Sequence, residues 1–211
     1  MASHGTSTAK ERFEDVAAQA RACTVCQPHL DHPVRPVFRG SATARIRIIG
    51  QAPGTRVQAS GKPFTDPSGD RLRDWMGVTE AEFYDEAQIA ITPMGLCFPG
   101  LDAKGGDRPP RPECAPLWQD RFTSALPEVS LTLLIGQYAQ KRYLGGERKK
   151  TLTETVSHWR NYWPQFVALP HPSWRNNAWL KRNPSFEKEV LPALKSRIRS
   201  MLDGDVDRTN S

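Results

Sequence analysis

Apolar residues along the chain fall into two alternating patterns. Short runs rich in branched residues come at Ile46, Ile48 and Ile49, at Ile89 to Thr92, at Leu131 to Ile135 and at Phe166 to Leu169. Each halts at a glycine or proline: Gly50, Pro93, Gly136 and Pro170. Such runs, bounded by chain-breaking residues, predict buried strands. Between them apolar residues recur at helical spacing. Phe13, Val16, Ala17 and Ala20 align within a helix predicted from Glu11 to Ala22, and Leu72, Trp75 and Met76 within one starting near Ser68. Trp118, Phe122 and Ala125 align from Pro116 to Leu126, and Tyr138 and Leu144 mark a short helix after Gly136. Asn183 and Pro184 read as an N-cap and first-turn proline for a helix carrying Phe186, Val190, Leu194 and Ile198. Pro192 lies inside that stretch and should kink or restart it.

Strands alternating with helices predict an α/β layer fold with a largely parallel sheet. No repeat or domain boundary interrupts the alternation, so residues 1–211 read as a single domain, frayed at about 1–10 and 203–211. The length of 211 residues suits one domain with a sizeable core. Hydrophobic residues at 38% and charged residues at 25% suit a soluble globular protein. No apolar run nears the ~20 residues of a membrane span, and the opening MASHGTSTAKER lacks the apolar stretch of a secretory signal. Lys and Arg total 29 against 23 acidic residues, a net charge of +6, with a pI near 9.3. That balance permits a polyanionic partner without establishing one.

In open α/β sheets ligands bind beyond the carboxyl ends of the strands. Two segments there concentrate chemistry. After the first strand come GQAPG, then SGKPFTDPSGD, whose glycines and prolines let backbone approach a ligand or simply make a tight turn. Neither a Walker loop nor G-x-G-x-x-G is present. After the fourth strand comes LPHPSWRNNAW, where His171 is locked between two prolines, and Trp174 and Arg175 could stack on bases and meet phosphates or merely pack on the surface. Basic residues cluster at Arg142, Arg148, Lys149 and Lys150, and again at Arg175, Lys181 and Arg182. Cys23, Cys26, Cys97 and Cys114 follow the pattern C-x2-C, then C-x16-C around a proline- and glycine-rich loop. With no export signal, disulfides are disfavoured. Spacing leaves open four unrelated thiols or a metal site, with structural zinc and an iron–sulfur cluster as equal alternatives for the metal.

GQAPG, GKPF and HPS, in this order and at strand ends, resemble the uracil-DNA glycosylase superfamily. The cysteine pattern narrows the resemblance to its iron–sulfur branch, family four and its relatives, over about Cys23 to Pro184. The resemblance implies a three-layer α/β/α fold with a central four-stranded parallel sheet. It implies a 4Fe–4S cluster on Cys23, Cys26, Cys97 and Cys114, of mainly structural role. It further implies a monofunctional enzyme, acting as a monomer in the bacterial or archaeal nucleoid, that excises uracil from DNA in base excision repair. Carried onto this chain, Phe64 stacks on the extruded base. Gln51 and the backbone at Ala52 hold the base and a water, and His171 bonds the base carbonyl as negative charge develops. Ser173, Trp174, Arg175 and Asn176 meet the DNA, one side chain entering the stack.

Two positions depart from the family. Gln51 and Ala52 stand where relatives carry a glutamate or aspartate, so the first motif holds no carboxylate. Asp66 and Asp70 are the reserve candidates for stabilising the sugar cation, or else cap a helix. Pro93 stands where many relatives have the asparagine that reads uracil. Its carbonyl and the amides of Met94 and Gly95 are then expected to read the base more loosely, admitting deaminated purines such as hypoxanthine or xanthine. Two other readings compete. A metal-stapled nucleic-acid-binding module without chemistry would explain the missing carboxylate. A covalent crosslinking relative would need a basic, histidine-bearing insert after GQAPG, which is absent.

Overall fold

The computed structural model describes residues 9–204. Its strands are β1 (Ile46–Ile49), β2 (Ile89–Ile91), β3 (Leu131–Ile135) and β4 (Phe166–Leu169). They form one parallel sheet in the order β2-β1-β3-β4. The helices are α1 (Ala9–Arg21), α2 (Thr55–Ser60), α3 (Pro67–Met76), α4 (Glu80–Phe83), α5 (Cys114–Ala125), α6 (Gln137–Leu144), α7 (Leu152–Ser157), α8 (Asn177–Arg182) and α9 (Leu191–Asp203).

Residues in register across a parallel sheet share a face. Ile46, Ile89 and Leu131 are in register and face one layer, where Leu72, Trp75 and Met76 of α3 and Leu194 and Ile198 of α9 complete a fully buried core. Arg47, Ala90 and Thr132 face the other. There Phe13, Ala17 and Ala20 of α1 pack with Trp118, Phe122 and Ala125 of α5. The architecture is therefore three-layer α/β/α, as the sequence led us to expect.

Arg47 is only 2% exposed, and among the described residues no carboxylate forms an ion pair with it. Its guanidinium donates instead to Thr92 Oγ1 at 2.8 Å, Thr123 Oγ1 at 2.7 Å and Gln119 Oε1 at 2.9 Å, and lies over the Tyr143 ring. Burial lowers its pKa, yet neutral acceptors satisfy the charge and tie α5 to the sheet.

The four strands lie where the apolar runs predicted them. The short helices α2, α4, α7 and α8 carry too few apolar positions to show a period. Two of them are instead started by capping boxes, Thr79 with Glu82 and Thr151 with Glu154. At the C-terminal end Pro192 does restart the helix: a π-helical turn, Phe186–Val190, runs into α9, and the proline occupies its first turn. Asn183 and Pro184 do open this helix, with Phe186 N–H reaching Asn183 O at 3.0 Å, but the Asn183 side chain turns back. Its amide donates back to Trp179 O at 2.8 Å, closing α8. The tails expected to fray lie largely outside the described residues.

Candidate active site

The carboxyl ends of β1 and β4 open onto a cleft of about 610 Å³. Its walls include Gln51, Ala52, Asp66, Asp107, His171 and Arg175. A smaller recess adjoins it, lined by Val37, Phe64, Ile91 and Pro93 together with Gln51, Asp66, Asp107 and His171. Segments far apart in sequence thus converge on one volume: the turn after β1, the start of α3, the loop before α5 and the turn after β4.

The turn after β1 is held by the chain leaving β2. Met94 N–H donates to Gly50 O and Gly95 N–H to Gln51 O, each at 2.9 Å. These bonds continue the β1–β2 pairing past the strands and correct one expectation. The amides of Met94 and Gly95 are spent within the protein, and the Met94 side chain is buried away from both cavities. The Pro93 carbonyl accepts from Gln119 Nε2 at 2.8 Å, and Gln119 is itself held by Arg47. What Pro93 offers the recess is its apolar ring.

Phe64 reaches the recess from an unusual backbone. Its φ of 58° makes it the one non-glycine residue in the left-handed region among the described residues. The strain is opposed by bonds to the carbonyls at this corner. Tyr84 Oη donates to Pro63 O at 2.7 Å and Phe64 O at 3.1 Å, and Arg73 Nη1 to Phe64 O at 3.4 Å. Lys62 Nζ lies 3.7 Å from the centre of the Tyr84 ring, and Phe83 meets the Phe64 ring edge-on. Gly69 leaves room for all this, since a Cβ there would stand 1.9 Å from Phe64 O.

His171 is part-buried at the end of β4. Burial lowers its pKa below the ordinary 6.5, Asp66 and Asp107 oppose that shift, and Arg175 adds to it. At neutral pH the imidazole is therefore uncharged and keeps one N–H to donate. Asn176 Nδ2 donates to His171 O at 2.7 Å. Asn176, expected among the DNA contacts, thus uses one side-chain N–H to hold the histidine turn. Ser173 stabilises the same turn. Its Oγ accepts from Arg175 N and its carbonyl from Arg71 Nη1. Trp174 is left 72% exposed at the cleft mouth, with Arg175 beside its ring.

The first motif lacks a carboxylate, but the cleft has two. Asp66 precedes α3, yet its side chain makes no cap bond and instead accepts from Ser68 Oγ at 2.7 Å. Asp70, the other reserve candidate, pairs with Arg73 outside the cleft. Asp107 was not foreseen. It sits on a small hairpin in which Leu101 pairs with Asp107 across antiparallel backbone, with Asp102 N–H to Gly106 O at 2.7 Å and Arg108 N–H to Gly100 O at 2.9 Å. The Asp102 carboxylate ties the tip by accepting from the amides of Lys104 and Gly106. Asp107 lies across Gly54, where an added Cβ would stand 3.4 Å from its Oδ2. Partial burial raises its pKa above 3.8, opposed by Arg175 and His171. No periodic pattern could have marked it. The signal available was an aspartate in a loop bracketed by two paired cysteines.

All four cysteines are free. Burial pushes Cys97 up to about 11 and Cys114 up to about 12. Cys114 feels Cys26, Cys97 and Cys23, and Cys97 feels Cys26 and Cys23, so the four thiols share one neighbourhood. Leu96 N–H donates to Cys114 Sγ at 3.2 Å, the Arg35 amide to Cys97 and the Arg111 side chain to Cys26. Among the described residues, no three His, Cys, Asp or Glu side chains are grouped closely enough to hold a metal ion.

Comparison with known proteins places these features. The profile of the uracil DNA glycosylase superfamily matches residues 37–195. A type-4 uracil-DNA glycosylase of Thermotoga maritima is 29% identical over 80 residues, 36% of this chain and 42% of that one, so the match spans less than half the relative's length. The NMR structure of a protein assigned as a uracil DNA glycosylase in Methanosarcina acetivorans superimposes with a TM-score of 0.43 at 15% identity, covering 76% of this chain and 98% of that chain.

Proposed function

Because the chain belongs to the uracil DNA glycosylase superfamily, we propose that it hydrolyses the N-glycosidic bond of uracil in DNA and so initiates base excision repair. The observation that carries this reading is the meeting of His171 with Asp66 and Asp107 in one cleft, beside a recess floored by Phe64. It also favours this reading over that of a binding module, because carboxylates line the cleft although the first motif has none.

Breaking the C1′–N bond leaves cationic character on the sugar and negative charge on the departing base. Phe64 stacks on the base, offsetting part of the few kcal/mol lost when a nucleotide leaves the duplex. Neutral His171 donates its N–H to the base carbonyl. A preorganised donor of this kind contributes ~3 kcal/mol. Asp107 and Asp66 stabilise the sugar cation, and Asp107 with Gln51 orients the water that attacks it. A cation of this kind needs little activation of the nucleophile, so no strong base is required. Trp174 and Arg175 meet the DNA beside the cleft.

Lesion choice follows from the recess wall. Ile91, Val37 and the Pro93 ring are apolar, and the amides of Val37, Met94 and Gly95 are already bonded within the protein. One edge of the base therefore meets no dedicated amide, and discrimination rests on His171 and Gln51. This supports excision of at least one deaminated purine, hypoxanthine or xanthine, beside uracil.

Cys23, Cys26, Cys97 and Cys114 would hold a 4Fe–4S cluster. Buried thiols with raised pKa values ionise at neutral pH only beside positive charge, which a bound cluster provides. Their amide and guanidinium donors suit thiolate ligands, and a cluster spaces four sulfurs more widely than one zinc ion does. When bound, the cluster supplies a rigid tie between the N-terminal segment and the loop that carries Asp107.

The test is single-turnover excision from duplexes carrying one uracil, hypoxanthine or xanthine. His171→Ala and Asp107→Asn are each expected to lower the uracil rate at least ~100-fold with DNA affinity nearly retained. Wild-type protein inert on all three lesions would overturn the assignment.

A further inference from the structure

Among the described residues four large apolar side chains stand exposed: Val25, Leu101, Leu117 and Trp174. Trp174 stands at the mouth of the cleft. Leu101 belongs there too, and the hairpin's hydrogen bonds show why. The bonds Asp102 N–H to Gly106 O and Arg108 N–H to Gly100 O flank the Leu101–Asp107 pair without joining it. This is the pattern of a non-hydrogen-bonded antiparallel pair, whose side chains stand side by side on one face with Cα atoms ~4.5 Å apart. Asp107 turns that face into the cleft. Leu101, 44% exposed, therefore stands beside it at the rim.

An exposed leucine gains nothing in water, and this one sits on a stiff support. The tip is closed by Asp102, whose carboxylate accepts from two amides and whose carbonyl accepts from Gly105 N–H at 3.0 Å. The charge around it suits a polyanion. Within the hairpin Lys104, exposed at the tip, and Arg108, exposed at the base and 3.9 Å from Asp31, balance Asp102 and Asp107, and Arg175, which lines the same cleft, adds positive charge that acts on both aspartates.

We propose that the hairpin of residues 100–108 is a second DNA-contacting arm, with Leu101 a wedge that enters the duplex beside the extruded nucleotide and packs on the base of the opposite strand. The placement of DNA rests on the glycosylase reading. Trp174 and Leu101 then support the distorted duplex from two rims of the cleft, and the arm that carries the wedge also carries Asp107. Only when Leu101 is seated in the helix does Asp107 stand at the sugar of the extruded nucleotide.

The wedge is tested by binding that requires no chemistry. The ligand is a duplex carrying a tetrahydrofuran abasic analogue with 2-aminopurine facing it, and the control is the tetrahydrofuran strand alone. Wild-type protein is expected to prefer the duplex and to change the 2-aminopurine fluorescence on binding. Leu101→Ala is expected to lower the duplex-to-single-strand affinity ratio about tenfold and to lose most of the fluorescence change. Leu101→Met, which keeps the apolar volume, is expected to restore both. An unchanged ratio in Leu101→Ala, or equal losses on duplex and single strand, would overturn the wedge. Protein that binds the duplex through Leu101 yet excises no base would instead sink the glycosylase reading and leave the wedge standing.

Discussion

Removing one hydroxyl remote from the bound base should weaken the platform on which that base stacks. Tyr84→Phe deletes the donor that reaches Pro63 O at 2.7 Å and Phe64 O at 3.1 Å. A left-handed conformation at a non-glycine residue costs ~1–3 kcal/mol, and a hydrogen bond of this type returns ~1 kcal/mol net. The remaining contact from Arg73, at 3.4 Å, is too long to compensate. A shift of ~1 kcal/mol lowers the equilibrium constant for the stacking position of Phe64 about fivefold. Excision under single-turnover conditions at subsaturating enzyme should fall ~3–10-fold, with the loss in base capture and the rate at saturation largely kept. Stopped-flow fluorescence of 2-aminopurine placed next to uracil reads that capture directly. A melting temperature lower by ~2–4 °C should accompany it. Wild-type capture with the same thermal loss would refute the reasoning, because Tyr84 would then only support the fold.

Two further expectations concern stability. Glu82 accepts from the Thr79 amide and hydroxyl and from Arg199, and these bonds hold its carboxyl down to about 2. Its folded pKa is depressed, so its stabilisation is complete above about 4.5 and is lost as pH falls towards 2. Both partners face solvent in part, which limits the effect to ~1 kcal/mol or less, and Glu82→Gln should flatten the urea midpoint over that window. Protein made with ample iron should be brown, with iron and sulfide in equal amounts. Removing the cluster, or replacing Cys97 with Ser, should increase amide hydrogen exchange across residues 98–113, whereas colourless protein holding zinc would contradict the cluster.

The sequence made the sheet legible because each strand is a short apolar run stopped by a glycine or proline. It also marked the two turns that carry Gln51 and His171, since prolines and glycines there leave a visible trace. What it hid are contacts made by folding. Asp107 lies in a segment without periodicity and enters the cleft only because Leu101 pairs across from it. The amides after β2 look free in sequence, yet strand pairing runs on past Ile91 and consumes them. Asn176 resembles a groove-reading amide, and only the turn geometry reveals that it bonds back to His171 O. Local chemistry was readable, and the hydrogen-bond economy of the strand ends was not.

Gly69 sets stability and activity against each other. It lies in the first turn of α3, and its φ is not in the glycine-only region. Alanine there would favour the helix by up to ~1 kcal/mol. A search for stabilising substitutions by helix propensity alone would therefore choose this site early. The added methyl would collide with Phe64 O and displace the aromatic ring without touching DNA, water or any ionisable group. On the glycosylase reading, selection for robustness and selection for repair thus pull a single position in opposite directions, and drift towards a sturdier helix would cost base capture from outside the cleft.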